Sequence, residues 1–268
     1  FLVVFLVAVG ILYTIMTGAV QIRLFWHSMK VMKRSRNETK DEHGITPFQA
    51  FVTGLASRVG VGNVAGVAIA IAIGGPGAVF WMWFTAFLGM SSAFVESSLA
   101  QLFKVRDTSN HQFRGGPAYY FERCLGWKPL GVLFAVSAII GCGLFLPGVQ
   151  ANAVGDAAVR IFGEGAMVDT AFGLVGTNKL ITLAVILMIL GFIIFGGIRR
   201  IANFTQIVVP FMALGYIIMA LVVVFLNLDK LPGVFSLIIS DAFTAQAGLG
   251  AAIGWGVKRG IYSNEAGQ

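Results

Sequence analysis

Residues 2–22 are almost unbroken in apolar side chains. A bilayer core needs about 20 such residues per helix, so the run is long enough to cross one. Six further stretches share the pattern: 45–73, 76–103, 129–153, 180–197, 203–227 and 243–262, the last rich in Gly and Ala. No polar/apolar alternation of a half-buried strand competes with them. The pattern predicts an all-α integral membrane protein with seven spans. Residues 2–22 read as a span and not as a signal peptide, because no basic segment precedes them and the run is long.

The charges sort by side. With the N-terminus outside, the inside segments are 23–44, 104–128, 198–204 and the region around 258. They hold 15 of the 19 Lys and Arg residues, including Lys258 and Arg259, against Arg160, Lys179 and Lys230 outside. Such a bias sets orientation in a membrane. The net charge of +7 then belongs beside anionic lipid, and nucleic acid is not a partner. Composition agrees: 57% of residues are hydrophobic and 12% charged, where a soluble chain carries about a quarter charged. Cys124 and Cys142 read as packing residues, with no structural disulfide.

Two ionisable residues fall inside spans, Arg58 in the second and Glu96 in the third. At membrane depth such groups face a protein interior or a cavity. Arg58 belongs to the stretch ASRVGVGNVAG, residues 56–66. Its glycines approach a dinucleotide loop, but the third comes one residue late, a helical pattern precedes it, and no acid follows about 20 positions on. Gly62-x-x-x-Gly66 can also serve as a helix-packing face. The sharper reading is a helix broken at Gly60 and Gly62. In a bilayer an unwound turn lines a cavity or is buried, and in transporters it offers carbonyls to a cation and N–H groups to a carboxylate. Gly254-Trp255-Gly256 predicts a second break five helices later, and paired breaks of this kind point to inverted repeats.

At these residues the chain resembles the alanine or glycine:cation symporters, also called sodium:alanine symporters. GGPGAVFWMW (74–83), VGVGNVAGVAIAI (59–71), FRGGPAYYFERCLG (113–126), QAN (150–152) and KRGIYSNEAG (258–267) match that family in order. The resemblance implies a leucine-transporter-like fold of two inverted five-helix repeats. Residues 1–44 are then an extra helix with a basic cytoplasmic loop, 45–230 the first repeat and 231–268 the start of the second. It implies that family chains continue well past SNEAG, so this chain reads as truncated. It also implies a multi-pass protein of a bacterial-type inner membrane. Family members usually have Thr where Val61 stands, which removes a side-chain ligand there and leaves the backbone role.

The site residues follow from the resemblance and the breaks together. The turn at Val59, Gly60, Val61 and Gly62 presents N–H groups to a substrate carboxylate. Val59 and Asn63 are cation ligands, with helix capping the bland alternative for Asn63. Gln150 bonds the substrate amine or carboxylate, Trp255 closes the pocket over a small side chain, and Tyr262 and Asn264 line it at the second break. Arg58 either snorkels or binds carbonyls freed by the break, or it stands in the site, where it bonds the substrate carboxylate or replaces one cation as a fixed charge that weakens sodium dependence. Glu96 is a coupling carboxylate or a structural partner of Arg58 or of a backbone group. The implied activity is symport of a small neutral amino acid with Na⁺ or H⁺, or symport or exchange of another small solute on the same fold, with no other cofactor and no obligate protein partner. A membrane enzyme needs a polar catalytic set at one depth, and a channel needs a continuous polar pore. The sequence shows neither pattern, so the chain reads as a transporter and not an enzyme.

Overall fold

Apolar sequence becomes helix almost throughout. The computed structural model describes residues 2–35, 45–107, 113–171, 173–244 and 251–264, apart from the side chains of residues 2, 57, 64, 251, 263 and 264. In chain order the helices are α1 (Leu2–Met16), α2 (Val20–Arg23), α3 (Phe25–Ser35), α4 (Pro47–Arg58), α5 (Val61–Gly74) and α6 (Gly77–Leu102). Then come α7 (Pro117–Arg123), α8 (Lys128–Ala138), a π-helical stretch Ile139–Phe145, α9 (Leu146–Phe162), α10 (Thr177–Ile194) and α11 (Gly197–Phe225). A 3₁₀ turn, Leu228–Lys230, leads to α12 (Leu231–Ala242), and α13 is Ala251–Asn264.

Four helical stretches are long and apolar enough to cross a membrane: α6, the continuous Lys128–Phe162, α10 and α11. The bent pair α4–α5 makes a fifth. Of the other two runs expected to span, 2–22 contains the shorter helix α1 and 243–262 contains α13, with residues 245–250 of the latter run outside the described residues. α1 has 15 residues, about 22 Å of helix. Gly18 (φ 60°) and Ala19 (φ 50°) turn the chain after it, and the four-residue α2 and the amphipathic α3 follow. α13 has 14 residues. Two short antiparallel ribbons also form, β1 (Val105–Arg106) with β2 (Phe113–Arg114) and β3 (Met167–Thr170) with β4 (Gly173–Gly176). Strands of two to four residues are too short to show alternation, so the sequence pattern passed over them.

Ends that the charge pattern assigns to one side meet in space. At the outer side, Gly75 (φ 81°) turns the chain within the GGPG tract of residues 74–77. The Asp241 carboxylate of α12 accepts from the Gly77 N–H at 2.7 Å, where α6 begins, and the anion suits the positive end of the helix. The Trp81 indole donates to the Ala242 carbonyl at 3.1 Å. At the inner side, the Thr46 hydroxyl and the Gln49 side chain form a reciprocal cap on α4, the arrangement that satisfies two orphan N–H groups at once. Gln49 is 2% exposed, and its amide also donates to Asn203 Oδ1 (3.1 Å) and Gln206 Oε1 (2.8 Å) on α11. Thr53 and Thr205 hydroxyls lie 3.3 Å apart in the same seam. α4 is thus held to α11 by side-chain hydrogen bonds.

α13 packs on α6 and α5. A Cβ at Gly256 would lie 2.6 Å from the Ala78 carbonyl oxygen, and one at Gly260 2.9 Å from Thr85 Cβ. Both advance by about one turn, so α13 runs parallel to the first half of α6. These glycines let two backbones approach, the use small residues have between membrane helices. Gly256→Ala places a methyl group against backbone that has no rotamer to escape with. It is expected to cost about 1–3 kcal/mol by overpacking, read as a lower Tm of the detergent-solubilised protein.

Candidate functional site at the helix break

α4 and α5 meet at a bend of 60°. Val59 leaves the helix at φ −88°, ψ 72°, and Gly60 is extended. Gly60 is needed for space and not for its dihedrals, since a Cβ there would meet Gln150 Nε2 at 2.9 Å. Gln150 stands on α9, just past Pro147. Proline lacks an N–H and clashes one turn back, and the π-helical stretch Ile139–Phe145 precedes it. Such wide turns often mark functional positions.

The backbone groups of the break divide into occupied and open ones. The Val61 N–H donates to Gln150 Oε1 at 3.1 Å. The Val59 N–H still bonds the Leu55 carbonyl at 2.9 Å. These two N–H groups, expected to face a ligand, are therefore taken by the protein. The N–H groups of Gly60 and Gly62 have no partner among the described residues, nor has the Val59 carbonyl. The Asn63 side-chain amide donates to the Arg58 carbonyl, and its N–H bonds the Gly60 carbonyl at 3.0 Å. Asn63 thus caps the broken end of α4, the bland alternative of the sequence reading.

α13 closes one side. A Cβ on Gly62 would lie 2.5 Å from Tyr262 Cε1, so the phenol ring rests against the turn. Four residues on, a Cβ on Gly66 would lie 2.6 Å from Arg259 Cζ. Position 62 meets 262 and 66 meets 259, so α13 is antiparallel to α5. Trp255, Arg259 and Tyr262 follow the i, i+4, i+7 spacing of one helix face. The Lys258 ammonium lies 5.1 Å from the centre of the Trp255 ring.

Three expectations need correction here. Gly254-Trp255-Gly256 is no break, because α13 is helical throughout Ala251–Asn264; Gly256 serves close packing instead. Depth is the second. Lys258 and Arg259 were assigned to the inner side, yet α13 starts beside Ala78 and reaches only the level of Thr85 with Gly260. On the charge-based assignment of the ends of α6 they fall in the outer half, which removes two from the 15 basic residues counted on the inner side. Third, Cys124 and Cys142 are exposed and not packed. Asn264 ends α13 at the level of the turn, and its side chain lies outside the described residues.

The two intramembrane charges also find places. Arg58 Nη1 donates to the Gly54 carbonyl at 3.2 Å, back along its own helix. Glu96 lines a cavity of about 410 Å³ with Tyr13, Leu88, Ser92, Tyr120 and Ile261. Burial, and then the nearby Glu96 carboxylate, push the Tyr120 phenol above its ordinary range, which keeps it a neutral donor. Arg259 was counted only as a topology charge. Its position four residues after Trp255 and three before Tyr262 was the signal that it shares their face.

The family model of the sodium:alanine symporters matches residues 1–268. The chain is 47% identical over 267 residues to YrbD of Bacillus subtilis (strain 168), covering 98% of this chain and 51% of that protein. It is 43% identical over 266 residues to the amino-acid carrier protein AlsT of the same organism, covering 98% and 53%. It is 40% identical over 278 residues to the sodium/alanine symporter AgcS of Methanococcus maripaludis, covering 100% and 58%. The chain spans about half the length of the curated relatives it matches. A family match over all 268 residues, on a helical membrane chain with a broken second span, leaves no other assignment: the chain belongs to the sodium:alanine symporter family.

Proposed function

We propose that the complete protein is a cation-coupled symporter of small neutral amino acids such as alanine or glycine. The observation that carries this reading is the break itself. Two open N–H groups, at Gly60 and Gly62, suit an α-carboxylate, and the open Val59 carbonyl suits a hard cation on the same turn. Asn63 adds an amide beside that carbonyl. Gln150 sets the turn through Val61 and keeps its Nε2 next to Gly60 for the substrate carboxylate. Tyr262 walls the turn, Trp255 caps the face above it, and Asn264 stands at the same depth. Each such role at this turn is part of the proposal.

The fold proposed for the complete protein is the leucine-transporter-like one of two inverted repeats, in which α4 and α5 are the halves of one broken helix and α13, antiparallel to α5 and meeting the turn, opens the second repeat. The coupling ion is Na⁺, with H⁺ the alternative, and ion and amino acid strengthen each other's binding reciprocally. Arg58 Nη1 reaches back along α4 to the Gly54 carbonyl, and sodium dependence stays intact in this reading. The bilayer is the remaining partner, and the basic inner segments suit a bacterial-type inner membrane.

The test is uptake of labelled L-alanine into proteoliposomes holding the complete protein, with and without an inward sodium gradient. Saturable uptake that rises at least tenfold with the gradient is expected, with glycine competing and leucine not. Linear, non-saturating flux, or no uptake at all, would sink the reading.

A further inference from the structure

Arg259 is a cation in the outer half of the helical bundle, and the mechanism above gives it no task. Its Nε is buried without a hydrogen-bond partner. Among the described residues no carboxylate pairs with it, and its guanidinium carbon lies 5.4 Å from the centre of the Tyr262 ring. An uncompensated charge at membrane depth is costly and marks a functional position. The guanidinium lies against Gly66, where a Cβ would stand 2.6 Å from its Cζ. Gly66 lies six residues beyond Gly60, about 9 Å up α5. Lys258 next to it is exposed and does not share that seat.

Resting on the symport reading, we infer that Arg259 recognises the α-carboxylate of the incoming amino acid on the outer side of the break. Its planar fork takes two carboxylate oxygens at once. The carboxylate supplies the counter-charge that Arg259 does not find among the described residues, and Tyr262 bridges from this seat to the open N–H groups of Gly60 and Gly62. The zwitterion is thus held first by Arg259 and then by the turn. Amines of the same size without a carboxylate are excluded at the first step.

Two measurements on the complete protein test this. In proteoliposomes, Arg259→Gln is expected to raise the KM for alanine about 10- to 100-fold with Vmax within twofold, the loss of a charge-assisted hydrogen-bonded pair. Arg259→Lys is expected to recover part of the loss. Gly66→Ala should raise KM similarly, and the double variant should add little. In the unaltered protein, alanine should slow phenylglyoxal labelling of Arg259 at least fivefold, and ethylamine should not. An unchanged KM with a lower Vmax would overturn the proposal in favour of a structural arginine. So would labelling that is indifferent to alanine, which assigns the counter-charge to a carboxylate of the protein's own remaining length. Absence of saturable uptake by the unaltered protein strikes the symport reading instead, and it is seen before any variant is made.

Discussion

Gly62→Ala in the complete protein is expected to lower saturable alanine uptake by about 10- to 100-fold. Position 62 lies in the first turn of α5, and its φ is not in the left-handed region. Alanine alone is a better helix former than glycine by about 1 kcal/mol, so on local grounds the change should help. The neighbour reverses the sign. The new methyl group would stand 2.5 Å from Tyr262 Cε1, and a flat ring seated against backbone has little room to give. Overpacking of this kind costs about 1–3 kcal/mol, and each 1.4 kcal/mol is a factor of ten. Gly254→Ala is the control, since a Cβ there meets nothing within 4 Å; its uptake should stay within twofold. Adding Tyr262→Ala to Gly62→Ala should restore part of the membrane-inserted, folded protein. Normal uptake by Gly62→Ala would mean that the ring does not rest on the turn.

Gln150→Leu has the second large effect. The Val61 N–H loses its acceptor at 3.1 Å, and an unsatisfied part-buried N–H costs about 1–3 kcal/mol. The turn then loses the bond that fixes its shape, and alanine uptake should fall at least tenfold at a given sodium concentration. Gln150→Glu separates shape from charge. It keeps an acceptor for Val61 but sets a negative charge beside the open N–H groups, so KM for alanine should rise while the Tm stays near that of the unaltered protein. Equal KM values in Gln150→Glu and the unaltered protein would remove Gln150 from the substrate site.

The helices were legible because bilayer-length apolar runs leave few alternatives. The break was legible because Gly60 and Gly62 interrupt such a run beside Asn63. Other features depended on partners far along the chain. Gly256 reads as a helix breaker in isolation, yet the Ala78 carbonyl against it makes it a packing glycine. Arg259 reads as a charge at a helix end because hydropathy gives no depth, and only its contact with Gly66 shows that depth. The capture of the Val61 N–H by Gln150 joins residues 89 positions apart, and no local spacing announces it. The polar seam of Gln49 with Asn203 and Gln206 was missed for the same reason. Each residue alone is an ordinary polar side chain near a helix end.

The seating of α13 against α5 also bears on biosynthesis. Tyr262 follows Gly62 by 200 positions. At 5–20 residues per second, the ribosome needs about 10–40 s to cover that distance. Throughout this interval α5, with its open turn, has no α13 to close it, while α4 can already dock on α11 once residue 206 has emerged. The nascent chain therefore passes through a stage with its inner half assembled and its outer half incomplete. Chaperones or insertion factors that shield small, glycine-rich segments within the bilayer would act at that stage.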